Sequence, residues 1–195
     1  MNPLDNIQAD RSRAKKLGDP NADLCFLALA DKSGNASVRT LVLRDIVDNR
    51  LTLFINKTSP KWRIICKGGT AQLLLWYSSV QRQYRLTGHI VELNRNTVEI
   101  NWHRRPLISK YLDHIYEHLG PQSSFVPTRK ILTDSLDGLR KSIKTDSLKA
   151  LPSATGVQIV CNSIEILDLS RVDQLHDRQL FTLEGEVWSS QIMIP

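Results

Sequence analysis

The chain has 195 residues, enough for one domain of ordinary size or two very small ones. Hydrophobic residues make up 41% and charged residues 24%, which supplies a core to bury and excludes a chain disordered throughout. Lys and Arg total 26 against 20 Asp and Glu, and the resulting +6 points to an anionic partner: nucleic acid, a membrane surface or a phosphorylated small molecule.

In chain order, a polar N-terminal segment over residues 1–20 gives way to Leu24–Ala30, a compact apolar run that reads as a buried strand. Asp31-Lys32-Ser33-Gly34-Asn35 is turn chemistry, after which Ala36–Arg44 resumes with β-branched and apolar residues. A second turn at Asp48-Asn49-Arg50 leads into Leu51–Asn56, where Leu51, Leu53 and Ile55 alternate with Thr52, Phe54 and Asn56. Three short strands joined by tight turns predict an antiparallel meander. Ser59-Pro60 then fits a helix start, Ser as N-cap and Pro in the first turn, and Gly68-Gly69 fits its end. Ala71–Tyr77 and Gln83–Leu93 read as two further strands, the second with Tyr84, Leu86 and Gly88 on one face.

From residue 94 to about 150 the pattern is mainly helical, interrupted at Arg105-Pro106 and at Gly120–Ser124. Leu132, Leu136, Leu139 and Ile143 recur at helical spacing. Strands return at Val157–Val160 and Ser163–Leu169, and a last hairpin pairs Gln179–Leu183 with Val187–Ile194. No repeat or linker interrupts the chain. The expected architecture is therefore one α+β domain over 1–195, an antiparallel barrel with peripheral helices and a helical insert over 94–150.

Cys25, Cys66 and Cys161 are odd in number and far apart, which fits buried reduced thiols better than a disulfide framework or a metal knuckle. No apolar run approaches the length of a membrane-spanning helix, and the first 16 residues lack a signal-peptide core, so the expected location is the cytoplasm. His114 and His118 have the i, i+4 spacing of metal ligands, but no third ligand accompanies them and no metal is expected.

Several cations stand where a phosphate site would want them: Arg39 and Arg44 on a strand, Lys61 in a first helical turn, Arg82-Gln83 opening a strand, and Arg104-Arg105 before Pro106. Val38-Arg39-Thr40-Leu41-Val42-Leu43-Arg44 resembles the Arg-x-Val-Leu-Leu-Lys strand of the pyridoxamine 5′-phosphate oxidase family of FMN enzymes. Asn56-Lys57-Thr58-Ser59-Pro60-Lys61 is similar to its Asn-x-x-Ser-Arg-Lys turn. Arg82-Gln83, Arg104-Arg105-Pro106 with Ser109, Gln122-Ser123-Ser124 and Leu175-His176-Asp177-Arg178 resemble further stretches of that family, in its order.

The resemblance implies a split β-barrel homodimer with FMN at the subunit interface. It implies that Arg39, Lys61 and Ser123, with Gln122 beside them, hold the FMN phosphate, that Gln83 bonds the ring edge, and that Arg178 also reaches the flavin. Arg44, Arg105 and Ser109 would grip a substrate phosphate, and His176 would stand beside the reacting group as the catalytic residue. The implied reaction moves a hydride from C4′ of pyridoxamine or pyridoxine 5′-phosphate to flavin N5, with O2 as the final acceptor.

Departures gather on the substrate side. Gln174 stands where the family has a covering Arg, Asn101 where it has a phosphate-binding Tyr, and Arg44 where it has Lys. Pro60 replaces an Arg on the FMN phosphate, and Leu167 a Trp against the flavin. Each lost phosphate donor costs about 1.5–3 kcal/mol. A second reading therefore keeps the flavin but changes the substrate to another small anion or NAD(P)H. A third makes the basic surface a nucleic-acid footprint, against which the cations are scattered and aromatics are only 6%.

Overall fold

The computed structural model describes residues 2–195. In strand β1 (Leu24–Ala30) the side chains of Cys25, Leu27 and Leu29 are at most 2% exposed, and those between them are half-buried. This is the period-two signature of a strand with one face on a core. The turn to β2 (Ala36–Val47) closes as its residues predict: the Asp31 carboxylate accepts from the backbone N–H groups of Ser33 and Asn35, each at 2.9 Å, and Gly34 takes a left-handed φ of 83°. β1 pairs with β2 from Leu24↔Val42 to Ala30↔Ala36.

β3 (Arg50–Asn56) follows a two-residue turn with Asp48 at φ 51°, and its register against β2 shifts between Leu43 and Asp45, a bulge at Arg44. β4 (Thr70–Tyr77) pairs with the other edge of β1, then β5 (Arg82–Glu92), β6 (Ala154–Asp168), β7 (Asp177–Glu184) and β8 (Val187–Met193) follow. The order is β3-β2-β1-β4-β5-β6-β7-β8, and β3 also pairs with β6. Six antiparallel strands thus close a barrel, and β7 and β8 extend from it. At the β5–β6 seam a Cβ on Gly88 would lie 2.0 Å from the carbonyl oxygen of Val160, so only glycine lets the backbones approach this closely.

The fold resolves into two compact units. One comprises the chain up to Leu53 with Lys67–Val91 and Gln158–Pro195; the other comprises Phe54–Cys66 and Glu92–Val157. The first holds α1 (Pro3–Lys16), capped by the Asn2 carboxamide on the N–H of Leu4. The polar reading of residues 1–20 thus gives way to a helix with Leu4, Ile7 and Ala14 buried. Its buried side also carries ions with partners. The Tyr84 hydroxyl donates to Asp10 at 2.5 Å, and Arg11 donates to the carbonyls of Ala22 and Leu43 and to Asp23. Those charges mask the helical stripe in the sequence.

The second unit contains α2 (Pro60–Cys66), α3 (Arg95–Trp102), α4 (Leu107–Leu119) and α5 (Arg129–Ser142). Trp102, Tyr111, Ile115, Leu139, Leu148 and Ala154 form its buried cluster, with Leu136 and Ile143 packed against it. Two expectations are corrected here. The strands read as Val157–Val160 and Ser163–Leu169 are one continuous β6, in which Asn162 is an outward residue rather than a break. Cys66 is exposed, whereas Cys25 and Cys161 are buried, their thiols pushed up to about 12 by burial. No helix among the described residues is long and apolar enough to cross a membrane.

Candidate functional site

Two of the motifs meet in the second unit. Pro60 opens α2 and places Lys61, only 7% exposed, in the first turn, where its Nζ donates to Gln122 Oε1 at 3.1 Å. Gln122 sits 61 residues further on in the turn between α4 and α5. Its backbone N–H donates to the Thr58 hydroxyl at 3.1 Å, and its side-chain amide reaches the Tyr116 hydroxyl at 3.4 Å. Ser123 follows in a left-handed conformation, φ 76°, rare for a residue with a side chain, and is exposed. One cation, one amide and neighbouring hydroxyls are the donor set that an oxyanion asks for.

Behind this group lies a buried polar chain. The Thr58 hydroxyl donates to Asn56 Oδ1 at 2.7 Å, and Asn56 Nδ2 donates to Asp113 Oδ1 at 3.2 Å. Asp113, 1% exposed on α4, accepts at its other oxygen from Trp102 Nε1 at 3.2 Å and from Arg105 at 2.5 Å. Arg105 is therefore tied to a carboxylate of its own unit. Ser109 stands half-buried in the first turn of α4. Asn101 spends its side chain within the same stretch, donating to the Thr97 carbonyl at 3.0 Å and accepting from Arg104 at 3.1 Å.

The remaining candidates lie in the barrel unit. Arg39 is half-buried on β2 opposite Leu27, its guanidinium donates to the Ser37 hydroxyl at 2.5 Å, and its Nε is buried without a hydrogen-bond partner. Such an orphaned buried donor suits an added acceptor. Arg44 is at the β2 bulge. Gln83 pairs with Trp76 in the β4–β5 register, and the two line a hollow of about 390 Å³ with Phe26, Leu74 and Leu169. An apolar hollow with one amide at its wall fits a flat ring carrying a donor and acceptor edge, so these residues fit a flavin. Arg178, opposite Leu167, donates from Nε to Glu165 at 2.9 Å, and Arg85 pairs with the same carboxylate. His176 is exposed just before β7, two residues after Gln174 at φ 61°.

Sequence reasoning passed over Asp113, Thr58 and Tyr116. Thr58 lay within a quoted motif at a variable position, and Asp113 directly precedes His114, whose spacing to His118 drew the attention instead. His114 is half-buried, and burial lowers its pKa. A further cavity of about 460 Å³ between α4 and α5 is lined mainly by Leu112, Ile115, Leu132 and Leu136, with Gln122 and Ser123 in its wall.

No model of a protein family matches the chain. Curated relatives do. The chain is 28% identical to the pyridoxine/pyridoxamine 5′-phosphate oxidase of Polynucleobacter asymbioticus, over 99% of its own length and 89% of that protein's. It is 28% identical to the oxidase of the same name from Erythrobacter litoralis, over 95% and 86%. Among solved structures, PhzG from Burkholderia lata 383, in complex with tetrahydrophenazine-1-carboxylic acid, superposes with a TM-score of 0.86 at 21% identity, covering 99% of this chain and 92% of that one. A pyridoxamine 5′-phosphate oxidase-related, FMN-binding protein from Nostoc punctiforme gives 0.79 at 17% identity, covering 97% and 96%. These two structures share the fold. Motif order, curated relatives and fold agree, and the chain is a divergent relative of the pyridoxamine 5′-phosphate oxidase-like family.

Proposed function

We propose that this protein is an FMN-dependent oxidase of the pyridoxamine 5′-phosphate oxidase kind, acting on a small anionic substrate as a homodimer. The observation that carries the reading is the hydrogen bond between Lys61 and Gln122, which joins two separate motifs into one oxyanion-binding group. Lys61, Gln122 and Ser123, with Arg39, take the flavin phosphate. Gln83 bonds the ring edge, and Arg178 approaches the flavin while Glu165 holds its guanidinium in place. When bound, FMN supplies the hydride acceptor and passes the electrons on to O2. Arg44, Arg105 and Ser109 bind the substrate's anionic group, and His176 orients the carbon that gives up the hydride.

A second reading keeps FMN and replaces pyridoxamine phosphate by a different small anion. Two features favour it: Arg105 is charge-paired with buried Asp113, and the Asn101 amide is engaged by Thr97 and Arg104. With those groups already engaged, a singly charged anion such as a carboxylate asks for less compensating charge there than a phosphate dianion does. Purified protein reconstituted with FMN is expected to show a flavin absorbance band. Pyridoxamine or pyridoxine 5′-phosphate should then bleach it without O2 and yield pyridoxal phosphate and peroxide with O2. Intact flavin binding with no bleaching by either substrate eliminates the first reading and leaves the second. A colourless protein that FMN does not bind eliminates both and returns attention to nucleic acid.

A further inference from the structure

We propose that Thr58, backed by Asn56 and Asp113, is the positioning residue that seats the Gln122–Ser123 turn beside Lys61 and thereby sets the preference for a phosphorylated flavin. The inference rests on the reading above, that Lys61, Gln122 and Ser123 hold the phosphate of FMN.

The chain of bonds has a fixed direction. Trp102 Nε1 and the Arg105 guanidinium are donor-only groups, so Asp113 is held as an acceptor. Asn56, 4% exposed, must then turn its Nδ2 toward Asp113 and its Oδ1 toward Thr58. That oxygen accepts both the Thr58 backbone N–H at 2.9 Å and the Thr58 hydroxyl at 2.7 Å. The hydroxyl's single proton is thereby committed, and a lone pair is left for the backbone N–H of Gln122.

Gln122 is consequently held at three points: its N–H by Thr58, its Oε1 by Lys61 and its Nε2 by Tyr116. Of these, the bond from Thr58 alone grips the backbone. It fixes the turn immediately before Ser123, whose left-handed φ of 76° needs the surroundings to hold it. Removing the hydroxyl frees the turn and misplaces the Ser123 hydroxyl and backbone N–H. Contacts to the flavin ring are left as they were.

The test compares Thr58→Val, Thr58→Ser and Asp113→Asn with the wild type by titrating each apoprotein with FMN and with riboflavin, read by quenching of flavin fluorescence. The ratio of the two affinities reports the phosphate alone. Wild type is expected to prefer FMN, and Thr58→Val to lose about tenfold of that preference, as for one bond to a charged group, with riboflavin affinity unchanged. Thr58→Ser keeps the hydroxyl and restores the ratio. Asp113→Asn lets the Asn56 amide reverse and lowers the ratio in the same sense, which keeps the test open should Thr58→Val not fold. A wild type that binds both flavins equally overturns the functional reading and this inference together. A wild type that prefers FMN, with folded Thr58→Val or Asp113→Asn keeping the full preference, overturns this inference alone.

Discussion

Lys57, within the Asn56–Lys61 stretch, is a side chain engaged in a local stabilising pair. Its ammonium lies 2.7 Å from Glu92 Oε1 and 5.3 Å from the centre of the Trp62 ring, while the Thr155 hydroxyl donates to the same carboxylate oxygen at 2.9 Å. The Lys57 hydrogen bond foremost, with the Thr155 hydroxyl and the Lys57 charge, lowers the Glu92 pKa against the opposing pull of burial. A carboxyl group with a depressed folded-state pKa stabilises fully above its unfolded value, and that stability is lost as pH falls through the folded value. The pair is about two-fifths exposed on both sides, so solvent screens it to roughly 0.2–1 kcal/mol. Glu92→Gln should therefore lower Tm slightly at neutral pH, and the two melting curves should converge as the pH falls below the lowered folded-state pKa of Glu92, where both side chains are uncharged. A gap between wild type and variant that persists in acid would assign the loss to packing instead. Cysteine chemistry divides at the same scale: Cys25 and Cys161 are buried thiols, and Cys66 is the exposed one.

At the scale of elements, what could be read from the sequence depended on whether a segment's partners are local. β1 came out at Leu24–Ala30 because a compact apolar run and an Asx turn are properties of neighbouring residues. Helix α5 was legible from its leucine spacing for the same reason. Helix α1 was not, because its buried face includes Asp10 and Arg11, whose partners Tyr84 and Leu43 lie far along the chain. β3 was read as one-faced, yet Thr52 and Asn56 are buried as well as Leu51, Leu53 and Ile55. The site divides likewise. Lys61 and Gln122 were legible as motif residues, whereas Asp113 gains its role only through Asn56, 57 residues earlier. The glycine at position 88 read as one more alternating position, but the β5–β6 approach gives it a stronger constraint. Gly88→Ala places a methyl group against backbone rather than a yielding side chain. One strand must shift, and the expected cost is about 1–3 kcal/mol, seen as a lower denaturation midpoint with little change in the slope. An unchanged midpoint would mean that the β5–β6 seam is looser than drawn.

For the molecule as a whole, the net +6 gives little direction, because it does not say which cations meet a ligand and many individual cations are held in local ion pairs. Arg11 and Lys15 share Asp23, Arg82 is paired with Asp168, Arg85 and Arg178 share Glu165, and Arg105 is paired with Asp113. The solvent-exposed pairs among these add little stability, and the pairing fixes where the cations sit. The donors proposed for the flavin phosphate are specific groups: Arg39, whose buried Nε lacks a hydrogen-bond partner, and the Lys61–Gln122–Ser123 group. A ligand that satisfies such groups binds the folded state and not the unfolded one, and so raises stability by an amount set by its concentration relative to Kd. At a hundredfold excess over Kd the gain is about 2.7 kcal/mol. For a chain of this length that corresponds to a rise in Tm of roughly 5–10 °C. FMN should produce this rise, and riboflavin at the same concentration a smaller one, because it lacks the phosphate that these donors meet. Salt should leave the FMN effect largely intact, since buried contacts are weakly screened, whereas a polyanion bound to the outer surface would be released. Equal shifts from the two flavins, or a shift from FMN abolished by moderate salt, would place the binding energy outside the phosphate-binding group.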